Sequence, residues 1–161
     1  MNELLMFFLG FFFGLVPSWF QRKRRLKTHW CALRAEIEQC REKAETLLRD
    51  NVESPLYRLP VMAYQISFPI LLADGGVEEN EVSVIGRFFS QTQDINRGLD
   101  NAAEMLKSGN DGQRKQEHDR NCLKVKGLIN AKDGKESLYI QAKKIVDGKI
   151  ALRFWHYSRT A

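Results

Sequence analysis

Residues 4–20 run LLMFFLGFFFGLVPSWF without a charge, and Arg22, Lys23, Arg24, Arg25 and Lys27 follow at once. That junction constrains the chain more than any other feature. A hydrocarbon core about 30 Å thick takes roughly 17–25 apolar helical residues to cross. The block sits at the short end of that range, so the flanking residues are expected to extend the helix into the headgroups. A cleaved leader needs positive charge before the apolar run and small residues after it. Here Met1-Asn2-Glu3 precede, and Pro17-Ser18-Trp19-Phe20-Gln21-Arg22 follow. A buried core helix needs a protein large enough to wrap it, and six phenylalanines between Phe7 and Phe20 leave no face for water. An uncleaved single-span anchor over residues 1–21 is the expectation.

Orientation follows from charge. Lys and Arg stay on the cytoplasmic side, and all five flanking cations lie after the block, in residues 22–27. The N-terminus is therefore expected outside and the rest of the chain in the cytoplasm. Trp19 and Phe20 are expected at the inner interface, where aromatic rings with one wet edge settle. Pro17 falls near the expected helix end, where a lost hydrogen bond is least costly. Gly10 and Gly14 form a GxxxG, the spacing that lets two membrane helices approach. A homodimer through the anchor is thus one possible assembly.

Beyond the anchor the charge is uneven. Residues 28–106 hold 7 basic and 13 acidic side chains, whereas residues 107–161 hold 13 basic and 6 acidic. Cys31, Cys40 and Cys122 are an odd number in a domain expected in the cytosol, so no disulfide framework follows.

From residue 26 the apolar positions are Leu26, Trp30, Leu33, Ile37, Cys40, Ala44 and Leu47, spaced alternately by four and three. That is a heptad seam on a stretch free of Gly and Pro. Such a stripe serves either as an intramolecular helix contact or as a homotypic zipper, with Leu26, Trp30, Leu33, Ile37 and Leu47 as its large knobs. Ser54-Pro55 suits a helix start, and residues 56–73 (LYRLPVMAYQISFPILLA) read as the most buried helix, broken or kinked at Pro60 and Pro69 or beginning in earnest only at Val61. Arg58, Gln65 and the two prolines argue against a second span there. Asp74-Gly75-Gly76 stops that helix. Glu78, Glu79 and Glu81 favour a new helix start, whose apolar face continues to Lys107 and completes an αα-hairpin.

Residues 108–119 (SGNDGQRKQEHD) lack large apolar side chains and read as an exposed polar loop. The last third, residues 120–161, reads as short helices, with Asp147-Gly148 either ending one of them or forming a hairpin turn. Phe154, Trp155 and Tyr157 are expected to cover the bundle. The predicted fold class is therefore all-α: an N-terminal transmembrane helix, a small helical bundle over residues 28–107, and a C-terminal third with a possible short hairpin.

No chemical motif stands out. A calcium loop counted from Asp74 puts Gly76 third, Glu79 sixth and Ile85 twelfth, so its ligand set fails. His29 with Cys31, and His118 with Cys122, are zinc-competent side chains without a CxxC pair. No P-loop, dinucleotide fingerprint, nucleophile elbow or metalloprotease motif occurs. No catalytic, cofactor or metal site is expected, and the chain is not read as an enzyme. The tail cations Lys124, Lys126, Lys132, Lys135, Lys143, Lys144, Lys149, Arg153 and Arg159 suit a solvated face or the acidic middle block. They also suit an anionic bilayer surface, with nucleic acid ranking last.

Residues 28–38 (THWCALRAEIE), together with Leu56-Tyr57-Arg58-Leu59-Pro60, Leu71-Leu72-Ala73-Asp74-Gly75 and Asn96-Arg97-Gly98-Leu99-Asp100, resemble a group of uncharacterised bacterial membrane proteins. The resemblance covers roughly residues 1–106. It implies one N-terminal span and a helical cytoplasmic domain at the inner membrane, and no activity. The expected role is a scaffold or protein-interaction module, with the bilayer and another protein as partners. Its alternative is a module that binds anionic lipid or nucleic acid through the basic tail.

Overall fold

The computed structural model describes the backbone of residues 2–50, 52, 56–74, 76–131 and 134–158, and the side chains of residues 19–50, 52, 56–74, 76–105, 107–131 and 134–151. Among the described residues the regular structure is helical, in five elements: α1 (Asn2–Asp50), α2 (Met62–Ala73), α3 (Glu79–Lys107), α4 (Asp111–Ile129) and α5 (Leu138–Ser158). The all-α class is correct. No helix, among the described residues, is long and apolar enough to cross a membrane. The apolar block is helical in backbone, but its side chains through Ser18, and with them the Gly10–Gly14 pair, lie outside the described residues.

The first helix does not end at the basic cluster. It passes unbroken from Asn2 through Pro17 and the five cations to Asp50, about 74 Å at 1.5 Å per residue. The seam chosen by spacing is buried throughout: Leu26, Trp30, Leu33, Ile37, Cys40, Ala44 and Leu47 are all in the core. It packs within the chain, against α2, α5 and α4.

The next helix returns antiparallel along α1. Lys43 Nζ donates to the Arg58 carbonyl at 3.1 Å near one end, and Arg22 Nε donates to Asp74 Oδ1 at 2.6 Å at the other. Ser54 and Pro55 lie outside the described residues; residues 56–61 are not helical, and α2 begins at Met62 with Val61 as its N-cap, as the later start at Val61 anticipates. Pro60 supplies the reason, because it disfavours helical torsions at the residue before it. Pro69 is tolerated inside α2.

The pair α3 and α4 forms the most extensive helix contact in the bundle. At its tightest point a Cβ built on Gly98 would lie 2.0 Å from Asn121 Oδ1. Only glycine lets α4 come that close. The expected loop over 108–119 is also corrected. The turn is confined to residues 108–110, where Gly109 takes φ 72°, and α4 starts at Asp111 with Asn110 accepting from the Gln113 amide. Polar composition does not imply irregular backbone. Gln113, Arg114, Lys115, Gln116 and Glu117 are good helix formers, and this end of α4 faces mainly solvent.

The hairpin alternative at Asp147-Gly148 fails as well. Both residues lie inside α5, which runs on to Ser158. Asp147 Oδ1 pairs with Arg34 Nε of α1 at 2.8 Å, so the side chain that would cap a turn engages a neighbouring helix instead. Phe154, Trp155 and Tyr157 lie where side chains are outside the described residues.

Candidate functional site

The second helix carries an exposed apolar face. Its sequence, MAYQISFPILLA, contains no charge, and only Ser67, Phe68 and Leu71 are buried. Tyr64 turns inward, stacking on Phe68 and on Phe89 of α3 with centroids 5.1 and 4.3 Å away. Met62, Ile66 and Leu72 face outward, 71%, 58% and 41% exposed. Pro69 and Ala73 are exposed with them. Positions 62, 66, 69 and 73 follow one face at helical spacing. Scattered apolar side chains are ordinary on a surface; here they follow one another along a single uncharged helix face.

Polar contacts hold this helix and the segment before it. No side chain of its own caps α2. Instead Glu36, buried in the middle of α1, accepts from the Ala63 and Tyr64 amides, each at 2.7 Å. A carboxylate there satisfies two orphan donors and matches the positive end of the helix dipole. Asn96 of α3 clamps Leu59 from both sides: its Oδ1 accepts from the Leu59 amide and its Nδ2 donates to the Leu59 carbonyl, both at 2.8 Å. The Cys40 thiol donates to the Pro60 carbonyl at 3.1 Å. Burial, with the Glu36 charge adding to it, pushes that thiol up to about 12, so it stays protonated and inert at neutral pH. Arg58 reaches Asp100 in an ion pair. The stripe is thus mounted on a fixed support.

Sequence spacing did not reveal this face, because an all-round apolar helix reads as buried. The signal available was the absence of any charge combined with a length of twelve residues, too little surface to be covered on every side.

The interface residues named from the sequence are placed as follows. Trp19 and Phe20 are exposed and meet edge to face at 5.3 Å, with Lys23 Nζ 3.5 Å above the Trp19 ring. Arg24 and Arg25 are exposed and Lys27 is half-buried. Arg22 is held by Asp74. The basic cluster therefore sits beside the C-terminal turn of α2.

The tail cations are partly consumed within the chain. Lys143 pairs with Glu38, Lys149 Nζ with Glu81 at 2.7 Å and Lys144 with Glu136. Glu38 also accepts from the Tyr139 hydroxyl at 2.8 Å, which receives Arg41 at 3.3 Å. Burial raises the Glu38 carboxyl, but hydrogen bonds from Lys143 and Tyr139 and the charges of Lys143 and Arg41 outweigh it, leaving the group below its ordinary value. The hydrogen bond to Glu38 lifts Lys143 correspondingly. This is a structural network joining α1 to α5.

His29 Nδ1 and Ser67 Oγ are 3.1 Å apart, while Cys31 is exposed. His118 Nε2 lies 3.6 Å from Cys122 Sγ. The two zinc-competent pairs are not brought together: no group of three or more His, Cys, Asp or Glu able to hold a metal occurs among the described residues. The chain matches no protein family, no curated protein and no solved structure.

Proposed function

We propose that this chain is a membrane-tethered docking module without catalytic activity. In this reading residues 4–20 form a single span with the N-terminus outside. The helical bundle faces the cytoplasm, at the inner membrane of a bacterium as the resemblance implies, and the outer face of α2 receives another protein. The observation that supports it is the uncharged stripe of Met62, Ile66 and Leu72, exposed on a helix held from beneath by Glu36 and Asn96. A partner helix laying its own apolar face on the stripe matches this geometry.

A photo-crosslinking residue at position 66, in the full chain expressed in cells, tests the reading. Adducts of higher mass are expected in the membrane fraction from position 66 and not from the exposed position 39 on α1. Absence of adducts from position 66 removes the docking face, and full-length protein that stays in the supernatant without detergent removes the tether. Ile66→Asp is expected to abolish docking while changing stability by no more than about 0.5 kcal/mol, because the side chain is exposed.

A further inference from the structure

The C-terminal turn of α2 and the basic cluster of α1 enclose a cleft of about 320 Å³ lined by Arg22, Arg25, Leu26, Ile70, Ala73 and Asp74. Its walls differ in sign. Arg22 and Arg25, three residues apart, stand next to each other on α1. Asp74 faces them, with a side chain only 16% exposed, at the negative end of the α2 dipole. Leu26 is buried and Ile70 half-buried, so the floor is apolar. Arg22 is fixed by Asp74, whereas Arg25 has no ion pair or hydrogen bond among the described residues, although it lines the cleft. One turn before Arg22 comes Trp19, and there the chain changes from basic to apolar.

We propose that this cleft holds the headgroup of a glycerophospholipid, with the phosphodiester on Arg25 and Arg22 and a hydroxyl of the headgroup alcohol donating to Asp74. Guanidinium groups hold phosphate oxygens through paired, charge-assisted hydrogen bonds. Asp74 can only accept, so it selects a headgroup that carries a donor. The volume lies at the low end for ligand sites, which suits a headgroup. The apolar floor has nothing to offer a free phosphate ion and much to offer the glycerol backbone. The proposal rests on the membrane-tethered reading, because that tether puts residues 19–25 at headgroup depth.

The test uses the full chain released from mixed micelles of phosphatidylglycerol and phosphatidylcholine in equal amounts, with retained lipid counted by native mass spectrometry. Phosphatidylglycerol is expected to be retained over phosphatidylcholine, and Asp74→Asn, which keeps the shape but weakens the acceptor, is expected to reduce that preference. Arg25→Gln should reduce retention at least tenfold. Arg24→Gln, which removes the same charge from outside the cleft, should change it less than twofold. Equal loss in both variants would mean a diffuse basic surface, and equal retention of the two lipids would remove Asp74 from the site. Displacement of the lipid by millimolar inorganic phosphate would make this a small-anion site. Each of these three overturns the proposal. Sedimentation of the unmodified chain without detergent is scored separately, so a failed tether and a failed cleft give different results.

Discussion

Single side chains decide how α2 is held. Glu36 sits mid-way along α1, where a charge on an otherwise apolar face would be costly, and becomes favourable only because α2 presents two amide donors to it. Hydrogen bonds to a charged group contribute about 1.5–3 kcal/mol, and loss of a cap costs about 0.5–2. Glu36→Ala is therefore expected to destabilise by about 2 kcal/mol, lowering the melting temperature by roughly 4–8 °C in a chain of this size, with Glu36→Gln in between. Thermal melts followed by circular dichroism check this. Cysteine reactivity gives a second measurement. Cys31 is exposed and Cys40 fully buried with its thiol raised to about 12. At pH 8 maleimide should modify Cys31 within minutes and Cys40 only after unfolding, read by mass spectrometry of peptides. Neither role was visible in the sequence. By spacing alone Glu36 reads as one more solvated helix charge, and nothing in its neighbours announces a helix arriving from 27 residues away.

Whole helices were legible to the extent that their own periodicity decided them. The 26–47 seam and the face of α3 through Ile85, Phe88, Phe89, Thr92, Ile95 and Leu99 are buried as their spacing implies. The failures lie where tertiary contact overrides a local signal. Asp147-Gly148 resembles a turn until Arg34 reaches Asp147, and residues 111–119 resemble a loop until Val125 and Leu128 anchor the other end of the helix they begin. The junction of α3 and α4 yields the prediction proper to this scale. Gly98→Ala drives a methyl into Asn121, whose amide is buried and makes no hydrogen bond among the described residues. Overpacking of this kind costs about 1–3 kcal/mol. Asn121→Ala removes both the obstruction and the unsatisfied amide, so the double variant should recover most of that loss. Denaturant unfolding of both single variants and the double variant measures the coupling; additive effects would mean that the two helices separate freely.

Across the whole molecule the uneven charge of the sequence becomes an internal fit. The acidic middle and basic tail meet as Glu38–Lys143 and Glu81–Lys149, which sequence position alone did not pair. Glu38 titrates below its ordinary 4.5 in the folded chain. Its contribution is therefore present above that value and lost as pH falls through the lowered one. Lys143 lies above its ordinary 10.5, so its share is present below that value and lost as pH rises through the raised one. Glu38→Gln should cost about 1 kcal/mol or less at neutral pH for a half-buried pair at the surface, and should flatten the acid limb of a stability-against-pH curve.

Because α1 is one helix from Asn2 to Asp50, its two halves share a single rotational phase. Each residue advances the helix by about 100° and 1.5 Å, so one alanine inserted at Gln21 would swing the apolar end through more than a quarter-turn about the axis. The bundle would keep its own packing yet point its α2 stripe in a new direction. The chain is built as a stiff shaft whose far end aims whatever the near end grips.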